Sequence, residues 1–210
     1  LLEGFNDIIE VFTYDKFKNS TEDNLQSLVD KTDIVFVCVP TPMKKDGSCD
    51  LSIINSVLKE INDCSKTNLI TVIKSTVEVG STISFQRNYR NLKLVFNPEF
   101  LTEANFIDDF KNQNFIILGS DNKDIKKLEE LYSSSFPDAK IIISNSNEAE
   151  LAKYFINSFL AVKVSFANEI YSICKSMNID YKKVVELTIN DSRIGASHLQ
   201  VPGPDGKLGY

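Results

Sequence analysis

Six short, unbroken apolar runs set the limits on how this 210-residue chain folds: IIEVFTY (8–14), DIVFVCV (33–39), NLITVIK (68–74), KLVF (93–96), NFIILG (114–119) and AKIIIS (139–144). Most lack the alternation of a strand with one wet face. Continuous runs of this length suit strands covered on both faces, as in a parallel sheet. Segments with helical spacing lie between them. LSIINSVLKEI (51–61) has apolar residues at 51, 53, 54, 57, 58 and 61, with Asp50 as the expected N-cap. KDIKKLEELYSSSF (123–136) puts Ile125, Leu128, Leu131 and Tyr132 on one face. This alternation predicts an α/β fold with a doubly wound, mostly parallel, Rossmann-like sheet.

The pattern changes after residue 144. Residues 146–177 contain neither Gly nor Pro and read as one long helix, capped by Ser146 or Asn147. Its stretch 151–167 is apolar nearly all round, which predicts a helix buried on most sides. DYKKVVELTIN (180–190) reads as a further helix capped by Asp180. The expected organisation is an α/β domain over 1–144 and an all-α region over 145–210.

Bulk properties narrow the function. The net charge of -6 and the absence of a basic cluster argue against nucleic acid or an anionic membrane as partner. No apolar run nears the ~18 residues of a membrane span. Cys38, Cys49, Cys64 and Cys174 form no CxxC, and His198 is the sole histidine. Neither a metal site nor a disulfide framework is expected, and reduced thiols point to the cytoplasm.

In doubly wound sheets, ligands bind beyond the carboxyl ends of the strands, and four such ends carry polar residues. No GxGxxG is present. Asp15 ends the first run, either as a ribose ligand or as a turn cap. VPTPMKKDGSCD (39–50) places Thr41 between two prolines that fix an extended turn. In KSTVEVGST (74–82), Ser75 and Thr76 either cap the next helix or hold a water. In NPEFLTE (97–103), Pro98 as the first residue of a short helix would put Glu99 and Glu103 on one face. That pair reads as a solvated turn or as two working carboxylates. Lys153 and Asn157 stand among apolar residues of the long helix. An unpaired buried ammonium loses its proton, so Lys153 needs an acidic partner or a function. Arg193 is a candidate anion ligand, and VPGPDGKLGY (201–210) is turn-forming.

Taken in order, VPTPMKKDGSCDLS, IKSTVEVGST, NPEFLTEANFIDDF, EAELAKYFINSFLAVKVSFANEI, DSRIG and VPGPDGKLGY resemble the UDP-glucose/GDP-mannose dehydrogenase family, specifically its UDP-glucose 6-dehydrogenases. The resemblance implies an NAD-dependent, four-electron oxidation of a sugar C6 alcohol to a carboxylate, serving UDP-glucuronate and polysaccharide biosynthesis. A cysteine holds the intermediate as a thiohemiacetal and then as a thioester. Asp15 is implied to bind the adenosine ribose, Thr41 to line the NAD site, and Thr76 to touch the cofactor and position water. Glu99 is implied as general base, or holder of the base water, for thioester hydrolysis, and Glu103 lies toward the nicotinamide. Lys153 and Asn157 stabilise the oxyanion at C6. The UDP-sugar is held by Glu99, Phe100, Leu101, Lys153, Asn157, Arg193, Gly206, Lys207 and Tyr210. The arginine reaches into the neighbouring subunit's site, and the long helix forms the core of a homodimer.

The family's cysteine lies in a GGxCxPKD segment following the pair matched by Gly209-Tyr210, and its glycine-rich loop precedes the position of Leu1. None of the four cysteines matches the nucleophile. Cys38 reads as strand core and Cys174 as helix packing. The expectation is an internal stretch of such an enzyme, without turnover of its own. Alternatives are a GDP-mannose or UDP-N-acetylmannosamine dehydrogenase, and, from another class, a non-catalytic nucleotide-binding or dimerising module.

Overall fold

A computed structural model describes residues 5, 9–66, 68–101, 105–122, 124–203 and 206. Five of the six apolar runs are strands: β1 (Ile34–Val37), β2 (Leu69–Ile73), β3 (Leu92–Phe96), β4 (Phe115–Gly119) and β5 (Lys140–Ser144). They form one sheet in the order β1-β2-β3-β4-β5. The pairs β1–β2, β2–β3 and β4–β5 are parallel, while β3 meets β4 antiparallel through Phe96 and Gly119. The helices are α1 (Leu25–Lys31), α2 (Ser52–Cys64), α3 (Ser81–Asn88), α4 (Phe106–Lys111), α5 (Lys126–Ser135), α6 (Ser146–Ser176) and α7 (Tyr181–Thr188). The mostly parallel Rossmann-like expectation holds.

Burial on both faces explains the continuous runs. Val35, Val37, Ile73, Leu92, Leu94, Phe96 and Ile117 face one core, with Leu28, Ile54, Leu58, Ile61 and Phe85 from α1, α2 and α3. Ile70, Val72, Val95, Ile116 and Leu118 face the other, with Phe110, Leu128 and Tyr132 from α4 and α5. Alternate residues of β1 to β4 thus enter opposite cores, as the two-residue period requires, whereas β5 leaves Ile142 and Ile143 exposed.

The run at 8–14 departs from expectation. Residues 10–14 form no strand, and the chain turns back on itself instead. Thr13 N–H donates to Thr21 Oγ1 at 2.7 Å, and Glu22 N–H to the Thr13 carbonyl at 3.0 Å. An extended segment needs a neighbour for its backbone groups, and among the described residues no strand lies beside it. The expected helix tail at 1–4 lies outside the described residues.

Two caps sit one residue away from expectation. Leu51 precedes α2 without a side-chain bond, but Asp50 accepts from Ser52 N–H at 2.9 Å. The long helix starts at Ser146, so Asn145 is the cap. Its Oδ1 accepts from Glu148 N–H at 2.9 Å, and Glu148 reaches back to Asn145 N–H at 3.4 Å, a reciprocal capping box. Gly119 allows a close approach at this point, since a Cβ there would lie 2.4 Å from the Ala149 Cβ.

The chain divides into two compact units, Leu1–Lys153 and Tyr154–Tyr210. In the second unit, Ala167, Cys174, Tyr181 and Val201 form a small core. Tyr181 Oη donates to the Leu199 carbonyl at 2.7 Å, and Asp180 caps α7 through Lys182 N–H. α6 ends where Asn178 takes a left-handed conformation (φ 54°) and Ile179 N–H bonds the Cys174 carbonyl. The expectation of a helix buried on most sides fails. Phe155, Phe159, Val162, Phe166 and Ile173 are exposed, Phe155 at 70%. They recur at helical spacing as an apolar stripe that the described residues leave exposed.

Candidate active site

Three consecutive parallel strands deliver their carboxyl ends to one place. β1 leads into Cys38-Val39-Pro40-Thr41, β2 into Lys74-Ser75-Thr76, and β3 into Asn97-Pro98-Glu99. Hydrogen bonds tie these ends together. Lys74 N–H donates to the Val37 carbonyl and Asn97 N–H to the Ile73 carbonyl, each at 2.9 Å. Ser75 Oγ donates to the Val39 carbonyl at 2.6 Å, and Thr41 Oγ1 to the Thr76 carbonyl at 2.7 Å. Ser75 and Thr76 therefore do not cap α3, which starts later, after Gly80. The cap comes from the long helix instead. Fully buried Glu150 accepts from Gly80 N–H at 2.6 Å and Thr82 N–H at 2.8 Å, placing an anion at the positive end of α3.

Pro98 opens no helix. Residues 97–101 have no regular structure, and α4 begins at Phe106. The helical pairing of Glu99 with Glu103 therefore does not form on the Glu99 side, and Glu103 lies outside the described residues. Glu99 is exposed and lines an open groove of ≈ 1970 Å³. The same groove takes in Asp15, Cys38, Val39, Pro40 and Leu101.

Lys153 is buried, but its partner is not a carboxylate. Nζ donates to the Glu99 backbone carbonyl and lies 5.2 Å from the centroid of the Phe100 ring. Burial pulls its pKa down, and the Glu99 charge opposes this. An ammonium held by one carbonyl and one ring face keeps N–H groups available to a developing anion.

Asp15 Oδ1 accepts from Phe17 N–H at 2.8 Å and Lys18 N–H at 3.1 Å, which is the turn-capping arrangement. The same bonds fix the carboxylate on the groove wall. Thr41 and Thr76 are not among the residues that line this groove. Asn157 is exposed on α6. Arg193 is exposed and makes a two-point pair with Asp191, Nη2–Oδ2 at 2.6 Å and Nε–Oδ1 at 2.9 Å. Gly206 takes a positive φ of 76° in its turn. Lys207 and Tyr210 lie outside the described residues. Cys38 is surface-accessible rather than strand core, because β1 ends one residue earlier. Cys174 is packed against α7, as expected.

Sequence reasoning missed Lys74, Asn97, Tyr132 and Glu150. Lys74 is 8% exposed, and its Nζ donates to Asn97 Oδ1 at 3.0 Å. Tyr132 Oη donates to the same oxygen, and Asn97 Nδ2 donates to the Ile117 carbonyl at 2.8 Å. A lysine directly ending a buried apolar run was the available signal for the first of these.

This is the frame of an NAD-binding α/β dehydrogenase domain, and comparison with known proteins names the family. Residues 4–136 match the family model for the NAD-binding domain of the UDP-glucose/GDP-mannose dehydrogenase family, and residues 147–207 match its central domain. The chain belongs to that family. It is 34% identical over 205 residues to UDP-glucose 6-dehydrogenase TuaD of Bacillus subtilis, covering 94% of this chain and 44% of the relative. A UDP-glucose dehydrogenase structure from Pyrobaculum islandicum superposes with a TM-score of 0.78 at 30% identity, over 85% of this chain and 43% of that one. A GDP-mannose dehydrogenase from Pseudomonas aeruginosa gives a TM-score of 0.73 at 31% identity, over 80% and 41%. The chain spans less than half the length of these relatives. Among the described residues no helix is long and apolar enough to cross a membrane, and no His/Cys/Asp/Glu group is arranged to hold a metal.

Proposed function

We propose that this chain supplies the cofactor wall and the oxyanion-stabilising cation of a UDP-glucose 6-dehydrogenase. The observation that carries the reading is the buried Lys153 ammonium, held on the Glu99 carbonyl beside the strand ends. NAD, when bound, accepts hydride from the sugar C6. Asp15 accepts from the adenosine ribose, and the Thr41–Thr76 link ties together the turns beyond β1 and β2. Lys153 and Asn157 donate to the oxygen on C6 as it gains negative charge, where a preorganised ammonium is most effective. Glu99 takes the proton of the water that hydrolyses the thioester, or orients that water. Glu103 is assigned to the nicotinamide side of the cofactor by its place in the motif. Arg193, the Glu99–Leu101 backbone and the Gly206–Tyr210 loop hold the UDP-sugar, with Arg193 serving the neighbouring subunit.

None of Cys38, Cys49, Cys64 and Cys174 is proposed as the cysteine nucleophile, which the full-length protein would supply. We place the boundary between the NAD domain and the helical region at 144/145. The exposed stripe on α6 is covered by the same stripe of a second copy, giving a homodimer. Four free thiols fit a cytoplasmic setting.

The test is NADH formation by the full-length protein on a panel of UDP-glucose, GDP-mannose and UDP-N-acetylmannosamine. UDP-glucose is expected to give the highest kcat/KM. Preference for GDP-mannose or UDP-N-acetylmannosamine would reassign the substrate, and no NADH from any of the three would leave a binding module. The 210-residue chain alone is expected to form no NADH, and steady turnover from it would contradict the assignment of the nucleophile.

A further inference from the structure

Lys74 is a buried cation to which the proposed chemistry gives no work. It stands at the carboxyl end of β2 and is 8% exposed. Among the described residues its hydrogen-bond acceptor is neutral, Asn97 Oδ1 at 3.0 Å. That oxygen also accepts from Tyr132 Oη, whose phenol burial keeps protonated by pushing its pKa up. Asn97 is fixed at its other end by the Ile73 and Ile117 carbonyls. A buried ammonium without an ion-pair partner destabilises a fold. Apolar packing would serve the core better at this position, so a retained lysine calls for a use.

The chain path supplies one. Asn97 is two residues before Glu99, and Pro98 between them is buried and conformationally fixed. Whatever holds Asn97 also sets where Glu99 leaves the sheet. Lys153 grips the Glu99 carbonyl from α6. Lys74 also interacts electrostatically with Glu99. The residue proposed to handle the hydrolytic water is thus gripped at its backbone by Lys153 and approached through Asn97 by Lys74.

We propose that Lys74 is a positioning residue of the dehydrogenase site: through Asn97 and through its charge, it fixes the Glu99 carboxylate in the orientation that thioester hydrolysis requires. The inference rests on the proposed role of Glu99. The groups facing Lys74 are Glu99 after β3, Cys38 after β1, Lys153 on α6 and Tyr132 on α5. Burial brings the pKa of Lys74 down to about 8, with Glu99 and Cys38 pulling it up and Lys153 pushing it down. The positive charge is therefore present below that pH and lost as pH rises through it.

Two measurements test this, and they fail separately from the proposed function. In the full-length protein with isotope-labelled lysine, the Lys74 side-chain resonance is followed by NMR from pH 6 to 11. A midpoint near 8 is expected, with Glu99→Gln increasing the proton dissociation constant at least threefold. An ordinary lysine midpoint, or one that Glu99→Gln leaves in place, overturns the inference whether or not the protein is a dehydrogenase. In the full-length protein, Lys74→Gln keeps an N–H donor for Asn97 and removes the charge. A tenfold or larger fall in kcat is expected, with KM for UDP-glucose changing less than twofold and the alkaline limb near pH 8 disappearing. Unchanged kcat and pH profile overturn the inference while leaving the dehydrogenase reading intact. If Lys74→Gln does not fold, the Glu99→Gln titration decides alone, since it leaves Lys74 in place.

Discussion

At the carboxyl ends of β1, β2 and β3, the buried polar groups of Lys74, Ser75 and Asn97 find partners within their own unit. Along α6 in the second unit, Phe155, Phe159, Val162 and Phe166 stand in solvent, and Phe155 stacks on Phe159. One region carries charge that the fold must pay to bury, and the other carries apolar surface that the fold leaves bare. A core built for stability alone would do the reverse. Both departures fall where we propose function, the first for a reacting oxyanion and its water, the second for another copy of the chain.

The largest effect expected is on the charged side of this contrast. Lys153→Ala in the full-length protein should lower kcat by about 10²–10³-fold, the usual effect of losing one oxyanion donor. A near-normal rate, measured by NADH absorbance, would remove Lys153 from the chemistry. Next is the apolar side. Replacing Phe155 and Phe159 together by Glu should convert a dimer to monomers in analytical ultracentrifugation, with helical circular dichroism unchanged. A monomeric wild type would break the comparison, because the stripe would then have no partner of its own kind.

Packing where β4 approaches the start of α6 gives a smaller effect. Gly119→Val must push against the Ala149 Cβ and the Ser146 Cα. A loss of about 1–3 kcal/mol is expected in urea unfolding, the range for overpacked sites. Unchanged stability would show that α6 shifts freely there.

The smallest effect is a gain. Lys74→Met removes a buried charge whose depressed pKa, about 8 against an ordinary 10.5, corresponds to a penalty on the order of 3 kcal/mol. The lost bond to Asn97 returns about 1 kcal/mol of that. The variant should be more stable than wild type at pH 7 by about 1–2 kcal/mol. The sign of the pH dependence follows from proton counting. Between pH 8 and 10.5 the unfolded chain holds a proton that the folded chain has released, so this group makes wild-type stability rise with pH there. The advantage of Lys74→Met should therefore shrink over the same window. An equal advantage at every pH would mean that the pKa of Lys74 is the same in the folded and unfolded protein.

How much of this was legible in the sequence differs between the two regions. The strands were readable because burial on both faces leaves unbroken apolar runs, and five of six runs proved to be strands. The run at 8–14 has the same composition but no neighbouring strand among the described residues, and composition carries no information about neighbours. The long helix was readable from the absence of Gly and Pro, but its burial was not, since an all-round apolar helix looks the same whether its cover is its own chain or another. At the site, the strand-end motifs drew attention to Thr41, Thr76 and Glu99. The Lys74–Asn97–Tyr132 network escaped notice because Tyr132 comes from α5, far along the chain, and Glu150 escaped for the same reason. Lys153 was singled out correctly as a charge needing an explanation. Its actual partner, a backbone carbonyl, has no signature in the side-chain sequence.

The proposed roles of Lys153 and Glu99 meet in a two-step oxidation. The most direct test is the stoichiometry of the full-length protein with limiting UDP-glucose and excess NAD. Two NADH per sugar, with UDP-glucuronate as the product, is the predicted result. One NADH per sugar, with an aldehyde released, would contradict the hydrolytic role given to Glu99 and with it the account of this site.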